Sequence, residues 1–211
     1  MPTSRSYRDS CGVARALDVV GERWALLVVR ELLLTPQRFS ELRHALPGVS
    51  SNLLADRLRE LEQHGVVHRP DGGRYDLTDW GRRLEPVVLA LGDWGIDAPH
   101  PAGPAALSAT SVLIFLRGHA RPDPQAPPTT CRLDLDGRAW TVRLTAGRLE
   151  IDPGEPPTAD AALRTDPATL SALLQDPSTL AAACTDGTAA IVGDRTAIDR
   201  LLRAVSEPTP A

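Results

Sequence analysis

Residues 98–106, APHPAGPAA, place three prolines and a glycine in nine positions. No helix or strand interior tolerates that density, because each proline removes an amide donor and glycine adds backbone freedom. The segment therefore predicts a linker. It divides the 211 residues into an N-terminal domain over 1–97 and a C-terminal domain over 107–206. Each half is long enough to bury its own core.

Composition narrows the class of protein. Hydrophobic residues make up 42% of the chain, which argues against disorder. There is no run of 18 apolar residues, so no membrane span is expected. The start, MPTSRSYRDS, lacks the apolar stretch of a signal peptide, and the expected location is the cytoplasm. All 23 basic residues are arginine, and the formal net charge is −4. Residues 1–100 hold 13 arginines against 14 acids. Any binding to nucleic acid must therefore use a locally arranged basic face. The three cysteines, Cys11, Cys131 and Cys184, form no CxxC, which argues against a disulfide framework and a structural zinc site. His64 and His68 are separated by a helix-ending Gly65. No metal and no cofactor is expected.

The first half reads as helices around a hairpin. Leu17, Val20, Trp24, Leu27, Val28 and Leu32 recur at spacings of mostly three and four. That predicts a helical run from Cys11 to Leu34, divided if Gly21 breaks it. Thr35-Pro36 ends the run, since the residue before proline avoids helical geometry. A short helix follows over 40–46, with Ser40 as its cap and Glu41 in its first turn. After the Pro47-Gly48 turn comes SSNLLADRLRELEQHG. Ser50 caps this helix, Leu54, Leu58 and Leu61 point inward, and Gly65 ends it. Ser51, Asn52, Ala55, Asp56 and Arg59 fall on the open side. VVHRPDGGRYDLT predicts two short strands around the turn Pro70-Asp71-Gly72-Gly73. Thr78 then caps a last helix from Asp79 to about Asp97, with Leu84, Val87, Val88, Leu91 and Trp94 along one side. Pro86 predicts a kink or a delayed start in it.

Helices, a hairpin and a further helix, in that order, make a winged helix-turn-helix, in which the helix after the tight turn enters the major groove. Ser50, Ser51 and Asn52 form its polar tip, and asparagine can pair bidentately with adenine. Arg57 and Arg59 suit phosphates. Arg69 and Arg74 flank the wing turn and suit the backbone or minor groove, and Arg38 and Arg43 flank the preceding short helix. Asp56 would repel phosphate unless it accepts from cytosine. Plainer alternatives stand beside these. Ser50 can serve only as a cap, Arg57 can pair with Glu60, and Arg59 with Glu62. Trp24, Trp80 and Trp94 can serve core or dimer packing.

Three stretches, CGVARALDVVGERWALLVVRELLL, RFSELRHALPGVSSNLLADRLRELEQHGVV and YDLTDWGRRLEPVVLALGDWG, resemble the HxlR family of winged-helix regulators over about residues 11–95. The resemblance rests on G-x-x-W, RF-x-EL, the LPG turn, RL-x-ELE-x-x-G and LT-x-x-G. Gly12 departs from it, standing where a proline usually follows the cysteine, and the wing is shorter than usual. The resemblance implies a homodimer on a palindromic double-stranded DNA operator, with the first and last helices helping to form the dimer. It also implies that Cys11 matches a cysteine that senses oxidants or electrophiles in some members.

In the second half, Cys131–Leu135, Trp140–Leu144 and Leu149–Ile151 alternate in polarity around Asp-Gly and Ala-Gly turns, which predicts a three-stranded meander. Asp166-Pro167 and Asp176-Pro177 read as helix starts, and Asp194 begins a final helix through Ile198, Leu201 and Leu202. The blocks DAALRTDPATL and GTAAIVGD make this half, about 105–205, similar to a sterol-carrier-protein type-two-like domain. That resemblance implies a small sheet covered by helices around an apolar cavity. Leu113, Phe115, Leu116, Trp140, Leu170, Leu173, Leu174 and Leu180 are candidate lining, with ordinary core packing as the alternative.

The fold class is therefore α+β, a winged helix-turn-helix followed by a sterol-carrier-like α/β sandwich. The expected function is a dimeric DNA-binding repressor whose C-terminal domain takes a hydrophobic small-molecule effector. The alternatives are a thiol-based sensor acting through Cys11 and, from another class, a lipid carrier. No nucleophile elbow, catalytic carboxylate pair or phosphate-cradling loop is found, so no enzyme is expected.

Overall fold

The computed structural model describes residues 6–70, 72–99 and 106–205. Asp71 of the expected wing turn, residues 100–105 of the expected linker and Ser206 at the expected domain end lie outside them. The chain separates into two compact units, Met1–Ala106 and Leu107–Ala211.

In the first unit the long helical run divides at Gly21 into α1 (Gly12–Val20) and α2 (Ala25–Leu32). Trp24 begins α2 with φ of 80°, a conformation uncommon for a bulky residue. Its indole lies against the Pro47-Gly48 turn. A β-carbon on Gly48 would come within 2.9 Å of the ring, so the LPG turn and the G-x-x-W motif fit each other. Helix α3 spans Phe39–Ala45. It begins ahead of Ser40, so Ser40 is not its cap; the Glu41 carboxylate accepts the Arg38 N–H instead, at 2.6 Å. Helix α4 spans Ser51–Gln63 and is capped as expected, the Ser50 hydroxyl accepting the Leu53 N–H. It closes with Gly65 N–H on Glu62 C=O and Val66 N–H on Leu61 C=O, a Schellman ending.

The wing is small. Strand β1 (Val67–His68) pairs antiparallel with β2 (Asp76–Leu77). Gln37 and Tyr75 exchange both backbone hydrogen bonds, which ties the segment before α3 to the returning arm. The expected single last helix is two, α5 (Asp79–Arg82) and α6 (Glu85–Gly95). Pro86 explains the division. It occupies the first turn of α6, where a missing donor is harmless, and would break a continuous helix. A β-carbon on Gly81 would meet the Val66 carbonyl at 2.1 Å, so only glycine lets α5 lie against the strand entry. Val28, Val29, Leu32, Leu42, Leu54, Leu58, Leu61 and Leu77 are buried together as the core. Each contributes roughly 1.5–3 kcal/mol by leaving water.

The second unit begins with α7 (Ala109–His119). The expected meander is present as β3 (Thr129–Leu135), β4 (Arg138–Thr145) and β5 (Arg148–Pro153). Two strands the pattern did not predict extend it, β6 (Ala161–Thr165) parallel to β3 and β7 (Ala189–Gly193) antiparallel to β6. The sheet order is β5-β4-β3-β6-β7. Helix α8 (Pro167–Gln175), a 3-10 turn at Pro177–Thr179 and α9 (Leu180–Asp186) connect β6 to β7, and α10 (Arg195–Arg203) follows. All three expected starts carry side-chain caps. Asp166 accepts from Ala168 and Thr169 N–H, Asp176 from Ser178 N–H and Asp194 from Thr196 N–H.

Candidate nucleic-acid interface

Helix α4 has one dry side and one wet side. Leu54, Leu58 and Leu61 are at most 1% exposed, while Ser51, Asn52, Asp56 and Arg59 face solvent and Ala55 is half-buried. The wet residues recur at three- and four-residue spacing, which makes a continuous row along one face. At its start, Ser50 is committed to capping. The Ser51 hydroxyl accepts from Arg43 Nε at 3.2 Å, so the short helix before the turn is linked to the tip of the next. The Asn52 amide is exposed and has no hydrogen-bond partner among the described residues.

The arginines divide sharply. Arg57 is 8% exposed, and its guanidinium holds Glu60 at 2.5 Å and approaches Glu22 at 3.8 Å. The pairing with Glu60 weighed from the sequence is the one observed, and it turns this charge away from solvent. Arg59 is exposed but bonds Asp56 at 2.8 Å rather than Glu62. That pair leaves the open row of α4 close to neutral. Glu62 instead receives Arg69 Nε at 3.1 Å, while the Arg69 guanidinium lies 4.9 Å from the Tyr75 ring centre. Arg74 donates to the Pro36 carbonyl at 2.9 Å and to Glu41 at 3.2 Å. Arg38 is exposed at the start of α3.

Two participants were not found from the sequence. Glu41 holds both the Arg38 backbone and the wing arginine Arg74, and so joins α3 to the wing. Its position three residues after the cap was the available signal. Arg23 is exposed over the Trp24 ring, 5.4 Å from its centre, beside the turn that leads into α4. Nothing in local spacing marks it, because the turn reaches it only through the tertiary fold.

The other predicted groups fall elsewhere. Cys11 is exposed at the start of α1. The nearby backbone N–H groups of Val13 and then Ala14 hold its thiol below the usual range. Of the eight expected cavity residues, seven are 0–4% exposed, and Phe115 is half-buried and stacked on His119. They are packed as core. A recess of about 300 Å³ in the same unit is lined by other residues, among them Leu144, Pro127, Arg121, Arg200 and Arg203. Among the described residues no His, Cys, Asp or Glu cluster could hold a metal, and no helix is long and apolar enough to cross a membrane.

The first unit is similar in sequence to known proteins. A family model described as HxlR-like helix-turn-helix matches residues 19–101. The uncharacterized HTH-type transcriptional regulator YdeP of Bacillus subtilis (strain 168) is 39% identical over 93 residues, covering 41% of this chain and 73% of YdeP. An uncharacterized HTH-type transcriptional regulator of Mycobacterium tuberculosis (strain H37Rv) is 35% identical over 139 residues, covering 61% of this chain and 82% of its own. That share exceeds the whole first unit, so the similarity runs on into the second. The crystal structure of quinone-bound YodB from B. subtilis is 34% identical, covers 40% of this chain and 94% of its own, and has a TM-score of 0.38. The curated relatives are named as transcriptional regulators, not as enzymes.

Proposed function

Because the chain belongs to the HxlR-like helix-turn-helix family of transcriptional regulators, we propose that it represses transcription as a homodimer, with the tip of each α4 in a major groove. The observation that carries this reading is the solvent-facing row Ser51, Asn52, Asp56 and Arg59 above the buried leucines of the same helix. Asn52 is the base reader, since its amide has both a donor and an acceptor free. Arg38 contacts phosphate. Arg43, Arg69 and Arg74 hold the tip and wing in shape and meet the backbone with their remaining donors. Arg59 is released to phosphate when Asp56 turns to a cytosine amino group. Arg57 belongs to the protein interior.

Val13 and Leu17 of α1 and Val87, Leu91 and Trp94 of α6 are 43–77% exposed. Such a set of large apolar side chains on one small unit supports self-association. A two-fold dimer would offer its two tips to half-sites about 34–36 Å apart, hence a palindromic operator. The test is a mobility-shift titration with DNA from the protein's own upstream region and unrelated DNA of equal length. Preference for the upstream region is expected, and equal affinity for both overturns the reading.

The second unit is the effector module in this proposal. Its recess, with Leu144 and Pro127 beside three arginines, supports a small molecule with an apolar body. The effector acts only through unequal affinity for the free and DNA-bound arrangements. Extracting purified protein for co-bound molecules, then adding them back to the operator complex, checks this. Extracts that never release DNA contradict it.

A second reading is favoured by one specific observation, the exposed and acidified Cys11 thiol. Here oxidants or electrophiles trigger release. A Cys11→Ser protein that still releases operator in diamide as the parent does would end this reading.

A further inference from the structure

The first unit contains a groove that neither the DNA-reading row nor the apolar surface uses. Its volume is about 480 Å³, within the range of small-molecule sites. Arg15, Ala16 and Val19 of α1 form one wall, and Trp80, Arg83 and Leu84 at α5 form the other. Val13 and Leu17 lie on a different side of α1, given 3.6 residues per turn. The lining holds two arginines and no carboxylate. Both arginines are exposed, and neither side chain has a hydrogen bond or ion pair among the described residues. Elsewhere in this unit the arginines of α4 and the wing are each matched to an acid. Trp80 is 49% exposed, which is unusual for indole, and it presents a flat apolar surface beside those two cations.

We propose that this groove binds a flat aromatic organic anion, a carboxylate or sulfonate, as a ligand site separate from the recess of the second unit. The guanidinium groups supply paired donors to the anionic oxygens. The anion relieves the repulsion between two like charges that share one apolar pocket. Trp80 stacks on the ring, and Val19 and Leu84 cover its edge. Binding here does not depend on the operator reading, and the test measures binding directly.

The experiment is isothermal titration of the full chain with naphthalene-2-sulfonate and with its neutral counterpart naphthalene-2-sulfonamide. The parent is expected to bind the sulfonate at least tenfold more tightly. Arg15→Gln/Arg83→Gln brings the sulfonate down to the level of the sulfonamide. Ala16→Phe, which fills the groove from an exposed helix position, removes binding of both. Arg164→Gln, exposed on β6 in the other unit and outside the lining of either recess, leaves the sulfonate affinity unchanged. The proposal is overturned if the parent does not distinguish the two probes, or if Ala16→Phe binds as the parent does. It is equally overturned if loss of sulfonate affinity follows the second-unit variant, or if sulfonate binds only when the protein is diluted to monomer, which would mean that a second copy of the chain fills the groove.

Discussion

Asn52 and Arg57 stand five residues apart on one helix, and their surroundings give them opposite tasks. Asn52 is exposed with a free amide, whereas Arg57 is buried and paired to Glu60 and Glu22. Asn52→Ala is expected to leave thermal stability unchanged and to cost about 1–3 kcal/mol of operator discrimination, measured as the ratio of affinities for operator and mismatched DNA. Arg57→Ala is expected to do the reverse. It loses charge-assisted hydrogen bonds and the packing of its stem, at about 1–3 kcal/mol of folding stability, while the operator-to-mismatch ratio stays the same. Denaturant unfolding of both variants checks the contrast. The cysteines differ as sharply. Backbone donors hold the Cys11 thiol below the ordinary range, whereas burial pushes Cys131 up to about 12. Iodoacetamide labelling followed by mass spectrometry should therefore find Cys11 alkylated at pH values below those needed by a free thiol, with Cys131 unlabelled in the folded protein at pH 8. Equal labelling of the two at that pH would contradict the assignment.

At the scale of elements, strong periodicity was legible and packing geometry was not. The leucine row of α4, its Ser50 cap and its glycine ending follow from residue spacing, and the structure has all three. The Ser40 cap fails because Glu41 reaches back to the Arg38 amide, which moves the cap two residues upstream. Strands β6 and β7 are hard to read because each is only five residues long and starts with two alanines, too short for alternation to show. Burial alone does not tell cavity lining from core, since an apolar stripe looks alike whether it faces a void or a neighbour. Leu58→Ala should cost the first unit about 2–5 kcal/mol by leaving a cavity under α4, seen as a lowered unfolding midpoint. Asp166→Ala should cost about 1 kcal/mol in the second unit through loss of the α8 cap. The Thr169 hydroxyl, then its N–H, lowers the Asp166 pKa, so this stabilisation is present above its unfolded value near 4 and is lost as pH falls through the lower folded value. The gap between parent and Asp166→Ala should accordingly narrow in acid; a constant gap would show that the carboxylate charge plays no part.

For the whole molecule, the charge balance limits how DNA can be held. With a net charge of −4 and the α4 and wing arginines each matched to an acid, the proposed interface would attract DNA weakly and would rely on base contacts for recognition. The helix and the hairpin on which the proposed interface is built were legible in the sequence because each is local. Which arginines stay free was not legible, because Glu22 reaches Arg57 and Glu41 reaches Arg74 only once the chain is folded. In the proposed dimer, two copies of α4 read two half-sites. Hydroxyl-radical footprinting of the full chain on its own upstream DNA tests it most directly. Two protected patches related by two-fold symmetry are expected, with centres about one helical turn apart, both weakened by Asn52→Ala at the lowest concentration where the parent protects fully. A single patch, uniform protection without position, or a footprint unchanged by that substitution would contradict it.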